Sequence, residues 1–451
     1  MSDDDEHSHT AEQGDDDDVL RILLSTDNHL GYCEKDFIRG MDSFAAFEEV
    51  LRIAKWKRVD FVLLSGDLFH ENKPSRLTLH KTMEILRRYC MGPDAVRFQI
   101  VSDQAENFRS AVNRCVNFED EFYSVDLPIF SIHGNHDDPT REAGSTETLA
   151  ALDLLAVSNL LNYFGKQDEV DKITVAPILI RKGKTKVALY GMGSMRDERL
   201  NRMWQNKKVK FMRPQPLTQD RQEIHMSDED EEEHQNQWFN IFALHQNRMI
   251  NRGSKNCIHE SMIPEWMDLV VWGHEHECLI DPTESLVGTY RITQPGSSVA
   301  TSLIYGEATR KHVGLLEIRT TQFRLTPIPL SQVRGFAMKE ISLNDEQGLD
   351  PDDPYIEERV AEILKKHVTE LVQDAREKWQ TWAQEAVTSQ HSLEFSRFPE
   401  QKYKIDKPEQ VLARLKVEHS GFTSLNNQRF GAQFVSEVVR KKKRRVTKER
   451  L

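Results

Sequence analysis

The sequence has 451 residues, 38% apolar and 29% charged, a balance that suits a soluble chain with room for two domains plus tails. It excludes a membrane span, since no run approaches about 18–20 consecutive apolar residues, and a secretory signal, since MSDDDEHSHTAEQ has no apolar core. The net charge of −13 does not exclude nucleic acid: nine acids lie in residues 3–18 and six more from Asp228 to Glu233, and without those fifteen the chain carries +2.

In chain order, residues 1–18 read as an acidic, disordered tail. A repeating grammar follows: an apolar run of strand length, a polar motif, then a helical segment. The runs are LRILLS (20–25), FVLLSG (61–66), PIFSIHG (128–134), KVALYG (186–191), NIFALH (240–245) and DLVVWG (268–273). Each is apolar on both faces, as strands are when a sheet is covered on both sides. Helical patterns lie between them at 44–57, 76–90 and 147–161, and the alternation predicts an α/β layered fold. The connections 91–127 and 196–238 are long for a compact domain, and at least part of the second is expected to be mobile.

From about residue 335 the character changes. Residues 355–382 carry Ile356, Val360, Ile363, His367 and Leu371 on one expected helix face, and 410–419 reads as a strand. Residues 335–435 are therefore assigned to a smaller α/β domain beside a first domain at 19–334. Residues 436–451 form a basic tail, in which RKKKRRVTKER (440–450) reads as a phosphate-contacting arm, a localisation signal or a flexible end. Five scattered cysteines without CxxC spacing fit free thiols in a reducing cytosol or nucleus.

Five motifs sit at the C-terminal ends of the expected strands: Asp27-Asn28-His29, Gly66-Asp67, Gly134-Asn135-His136-Asp137, His245, and Gly273-His274-Glu275-His276. The crevice beyond strand carboxyl ends is where α/β sheets bind ligands. Carboxylate, amide and imidazole groups together suit hard to borderline divalent metals such as Mn, Mg, Fe or Zn. Seven of them, Asp27, His29, Asp67, Asn135, His245, His274 and His276, suffice for two ions sharing one carboxylate. Two such ions can polarise a phosphodiester and activate water. Alone, a strand-end His or a Gly-Asp is an ordinary structural residue or turn; His133, His225 and His234 keep that reading, and His312 and His367 stay unassigned.

The order DxH, GD, GNH[DE], H, GHxH resembles the signature of the calcineurin-like metallophosphoesterase superfamily. At finer grain STDNHLGY (25–32), SGDLFHENKPS (65–75), FSIHGNHDDP (130–139), WGHEHEC (272–278), QPGSSVATSL (294–303) and NQRFGAQFV (427–435) resemble the nuclease subunits of MRN/MRX double-strand-break repair complexes. The resemblance implies a layered β-sandwich flanked by helices, with an α/β capping domain that shapes DNA access and moves against the nuclease domain. It implies one metal on Asp27, His29, Asp67 and His276, and a second on Asn135, His245 and His274 with Asp67 bridging. Manganese, two ions per chain, is the implied cofactor. His136 becomes the non-ligand catalytic histidine, protonating the leaving oxygen or stabilising the transition state, and His70 helps place the DNA phosphate.

The same resemblance implies a nuclear enzyme with exonuclease and single-strand endonuclease activity. It implies a homodimer through helices 76–90 and 147–161, with stripes Leu79, Met83, Leu86 and Leu149, Leu152, Leu155. An FHA/BRCT adaptor subunit would bind the 91–127 insertion. An SMC-like ATPase subunit would bind beyond the catalytic core, so with the sequence ending at Leu451 tight ATPase binding is not expected of this chain. Two other readings compete. One is a phosphatase on the same metals, against which LFHEN follows Gly66-Asp67 where serine/threonine phosphatases have VDRG. The other is a dimeric scaffold with vestigial metals, which the intact ligand set disfavours.

Overall fold

The computed structural model describes residues 17–141, 147–167, 172–214, 237–248, 256–390, 410–422 and 426–439. The acidic segments 1–16 and 228–233 and the basic run 440–450 lie outside them, as does the mobility expected within 196–238 at residues 215–236. Asp18, assigned to the tail by composition, is tied into the fold instead: its carboxylate accepts from Lys184 N at 2.8 Å.

Two mixed sheets face each other. The strands are β1 (Val19–Ser25), β2 (Phe61–Ser65), β3 (Gln99–Ile100), β4 (Ile129–Ile132), β5 (Asn162–Tyr163), β6 (Ile178–Lys182), β7 (Thr185–Met192), β8 (Phe239–His245), β9 (Leu269–Gly273), β10 (Leu279–Glu284), β11 (Arg291–Gln294), β12 (His312–Arg319) and β13 (Gln322–Pro329). The first sheet runs β13-β12-β1-β2-β4-β5 and the second β10-β11-β9-β8-β7-β6-β3. Within them β1, β2 and β4 are parallel, as are β7, β8, β9 and β11. The chain therefore leaves each central strand at the same edge of its sheet.

Alternation along the strands explains their all-apolar sequences. Ile22, Leu24, Phe61, Leu63, Phe130 and Ile132 meet Val187, Leu189, Ile241, Ala243, Leu269 and Val271 between the sheets. The alternate residues Leu23, Val62, Leu64 and Ile129 face helices α1 (Asp42–Trp56) and α2 (Arg76–Cys90), together with α3 (Ala151–Val157). On the far side Tyr190, Met192, Phe242, Leu244, Val270 and Trp272 are covered in part by α4 (Asp197–Gln205) through Leu200 and Met203. Helix, sheet, sheet, helix is the resulting layer order.

The insertion at 91–127 is part of this body. Its β3 pairs with β6 at the sheet edge, and Phe98, Phe108 and Val116 enter the inter-sheet core, while Val112 and Phe122 stay exposed. The helix expected over 147–161 is shorter. A two-stranded pairing of Thr140–Arg141 with Thr148–Leu149 precedes it, and α3 starts only at Ala151. Most of the expected outward stripe is also corrected: Leu152, Leu155 and Leu86 are buried in the chain's own core, with Leu79 and Met83 packed against it, while Leu149 is exposed.

Beyond Arg334 a smaller unit pairs β14 (Phe336–Ser342) in parallel with β15 (Leu412–Glu418) under the long helix α5 (Ile356–Gln390). Its buried face is Ile356, Val360, Leu364, Leu371, Val372, Ala375 and Trp379. Leu364 takes the place expected of Ile363, one position of rotation that a polar-rich helix leaves open. Arg334 fastens this unit to the larger one, its guanidinium forked on Asp42 at 2.8 and 3.0 Å and donating to Ile38 O and Gln410 O. No helix among the described residues is long and apolar enough to cross a membrane.

Candidate metal centre

The loops leaving β1 and β2 travel together, which is what holds their side chains side by side. Asp27 N donates to Gly66 O at 3.1 Å, His29 N to Asp67 O at 3.0 Å and His70 N to Leu30 O at 3.0 Å. Asp27, His29, Asp67 and His274 all have φ between 48° and 81°, a left-handed backbone that costs a non-glycine residue about 1–3 kcal/mol and concentrates at functional sites. Gly134 is required for a different reason: a Cβ there would overlap the Asp67 carboxylate.

All seven expected ligands converge. His29 Nε2 lies 3.1 Å from His276 Nε2, 3.8 Å from Asp27 Oδ1 and 3.7 Å from Asp67 Oδ2. His276 Nε2 is 3.4 Å from Asp27 Oδ1. On the other side of Asp67, His245 Nε2 is 3.4 Å from its Oδ2 and 3.2 Å from Asn135 Oδ1, which is 2.7 Å from His274 Nδ1. Asp67 Oδ2 thus stands between the two groups. The triads Asp27-His29-His276 and Asp27-Asp67-His245 each present donor atoms within 4.8 Å of one another.

Chemistry of the donors fits a cation. Asp27 Oδ1 and Asp67 Oδ2 are buried and accept no hydrogen bond among the described residues, an expensive condition for a carboxylate unless positive charge compensates it. Burial holds His29 down at about 3 and, with His245 nearby, His274 at about 4, so both present neutral imidazole. Burial opposes charge on His245 too, yet Asp67 and Asp27 outweigh it and raise that ring to about 9. The carboxylates draw positive charge to this point. His245 Nδ1 is 2.8 Å from Ser65 O and His274 Nε2 2.8 Å from Asn247 Oδ1, so each ring is oriented from behind.

His136 and His70 flank the cluster. Their rings stack at 5.0 Å, His29 meets His136 edge-on at 4.9 Å, and His136 Nδ1 is 2.7 Å from His70 O. With Nδ1 donating, the proton-bearing side is fixed and Nε2 is the free end of the ring. His136 N also donates to Asp67 Oδ1 at 2.8 Å. Tyr32 packs edge-on against His70 at 4.8 Å. His133 keeps its structural reading, between Tyr163 OH at 2.7 Å and Ser194 O at 3.2 Å.

Several supporting residues escaped the sequence reading. Asp137 accepts from Gly134 N at 2.6 Å and Phe69 N at 3.1 Å, and burial with the nearby Asp67 raises its carboxyl to about 7. It stood inside the third motif, so its place was signalled though its role was not. Asn247, Glu307 and Lys311 carried no motif signal. Thr301 lay inside QPGSSVATSL, a stretch quoted for the resemblance without a site role.

Two known families match parts of the chain. The calcineurin-like phosphoesterase family matches residues 20–278, and the family described as Mre11 DNA-binding presumed domain matches residues 323–443. The chain is 49% identical over 431 residues to double-strand break repair protein MRE11 of Oryza sativa subsp. indica, covering 94% of this chain and 55% of that protein. The protein of the same name from Arabidopsis thaliana is 49% identical over 427 residues, with 94% and 53% covered. That from Homo sapiens is 43% identical over 435 residues, with 96% and 55% covered. The chain spans about half the length of these curated relatives.

Proposed function

The chain belongs to the calcineurin-like phosphoesterase family, and from that premise we propose that it is a manganese-dependent DNA nuclease acting on double-strand breaks. The observation that carries the chemistry is the pair of buried oxygens, Asp27 Oδ1 and Asp67 Oδ2, that accept no hydrogen bond among the described residues and face the Nε2 atoms of His29, His245 and His276. Asp27, His29, Asp67 and His276 would hold one ion, and Asn135, His245 and His274 the other, with Asp67 shared. Two bound divalent ions supply the Lewis acidity that polarises a phosphodiester and activates water.

The chain's own residues do the rest. Asp27 and Asp67 set the negative field, and Ser65 O and Asn247 hold the imidazole planes of His245 and His274. His136, anchored through Nδ1 to His70 O, would carry a second proton on Nε2 and pass it to the leaving oxygen. His70, stacked on it and braced by Tyr32, positions the phosphate.

DNA as substrate is supported by the 42–49% identical relatives, which are named double-strand break repair protein MRE11, and by the match of residues 323–443 to the Mre11 DNA-binding presumed domain. The β14-α5-β15 unit is proposed as a cap that shapes access to the site. A second copy, an adaptor subunit at the 91–127 insertion with its exposed Val112, Phe122 and Tyr123, and an SMC-like ATPase subunit are the proposed protein partners. A nuclear location follows from that work. The dimer face is redrawn from the exposed Leu77 of α2 and Leu154 and Val157 of α3.

The test is manganese-dependent cleavage of an end-labelled DNA duplex by the parent, Asn135→Ala and His136→Asn. Both side chains sit at the site's open edge, so the fold should survive. Loss of the proton donor lowers the rate about 10²–10⁴-fold. Unchanged cleavage would sink the assignment, and faster turnover of a phosphopeptide than of the duplex would favour the phosphatase reading.

A further inference from the structure

Behind His276 the segment between β11 and β12 carries a buried ion pair that the reaction itself does not use. Glu307 lies in the turn Tyr305–Glu307 and is 1% exposed, and Lys311 is equally buried. Its two oxygens are crowded by donors. Oε1 is 2.8 Å from Ser302 N and 3.3 Å from His276 Nδ1, and Oε2 is 3.0 Å from Thr301 N, 3.1 Å from Ser297 Oγ and 3.5 Å from Lys311 Nζ. Lys311 Nζ also donates to Ser297 Oγ at 3.0 Å and to His276 O at 3.1 Å, while Thr301 Oγ1 lies 2.8 Å from His276 Nδ1.

One end of this imidazole therefore faces a carboxylate and a hydroxyl, and the other faces Asp27 and His29. An acceptor at Nδ1 takes the ring proton, which leaves the Nε2 lone pair aimed at the metal position. Fixing the tautomer needs a permanent acceptor, and a buried carboxylate remains one only if its charge is compensated, as Lys311 does here. From this geometry we infer that Glu307 is the positioning residue that fixes the tautomer and ring plane of His276 for metal binding, with Lys311 as its neutralising partner. The inference rests on His276 being a ligand, as proposed above.

Glu307→Gln is the informative change. Each oxygen has three donors around it, but Oε2 faces the Lys311 ammonium, which cannot accept, whereas Oε1 faces Thr301 Oγ1 at 3.4 Å and His276 Nδ1, which can, so the amide NH2 fits with least conflict on the Oε1 side. There it donates to Nδ1 and turns the Nε2 proton toward the metal position. Calorimetric titration of Mn2+ into the metal-free full chain gives the readout. The parent should bind two ions per chain, and the variant should bind one of them about 10–100-fold more weakly with the other unchanged. Nuclease activity of the variant should return at high Mn2+ with the parent's kcat. Glu307→Gln with Lys311→Met removes both buried charges and must show the same loss at one ion if the single variant fails to fold. Two parent-like Mn2+ affinities in a folded variant overturn the inference while leaving the site reading intact. A parent that binds fewer than two ions overturns that reading and this inference with it.

Discussion

Asp137 shows how one side chain can hold a site without being one of its proposed ligands. Its two oxygens accept from Gly134 N and Phe69 N, and so tie the backbone before Asn135 to the backbone after Asp67. Both amides are otherwise cut off from water by a residue that is 0% exposed. Asp137→Asn keeps the shape but offers one acceptor where two are needed. We expect it to lose about 1–3 kcal/mol in urea unfolding, the cost of a buried donor left unpaired. An unchanged midpoint would show that the two amides find other partners. Gly134→Ala should fold less well for a steric reason, since its new methyl meets the Asp67 carboxylate, and overpacking of this kind costs about 1–3 kcal/mol.

Among the elements, α3 separates what the sequence could and could not say. Its leucines at 152 and 155 are buried, while Leu154 and Val157 are about half exposed. Leu152→Ala should therefore cost about 2–5 kcal/mol of stability. Leu154→Glu should leave the urea midpoint within about 0.5 kcal/mol yet shift sedimentation from dimer toward monomer. A dimer that survives Leu154→Glu together with Leu77→Glu rules out the proposed face. The proposed ligands were legible as a cluster because each follows a short apolar strand and stands beside a glycine or another polar residue, a pattern that local sequence carries whole. Glu307 and Lys311 were not, because a charged residue in a loop looks solvated until folding covers it. The stripe on α3 was mostly misplaced, and on α5 Ile363 gave way to Leu364 while Ile356, Val360 and Leu371 are buried as expected, for a related reason: helical spacing gives the width of an apolar face, and only the opposing sheet decides its rotation.

At the scale of the molecule, pH reaches the junction between the two units. Glu49 of α1 accepts from Ser331 N, Ser331 Oγ and Gln332 N, just before Arg334 enters the smaller unit. Burial raises its carboxyl above the ordinary 4.5 despite those hydrogen bonds and Arg52. The folded state thus holds this proton more tightly than the unfolded chain. The resulting stability is complete below about 4.5 and is lost as pH rises through the folded value. Urea midpoints of the parent and Glu49→Gln, followed upward from about pH 4, should diverge in the variant's favour. Parallel curves would mean that burial leaves this carboxyl unperturbed.

The two groups of donors draw on both sheets. Asp27 and His29 hang from the first and His276 from the second, and Asp67 and Asn135 from the first face His245 and His274 from the second. With the roles proposed above, each ion is a rivet driven through the seam of the sandwich. At a free concentration a hundredfold above its dissociation constant, each would add about 2.7 kcal/mol against separation of the layers. A half-folded chain, its sheets still apart, could not assemble either set. The capacity to cut would then arrive with the last step of folding, a safeguard against stray cleavage by immature copies.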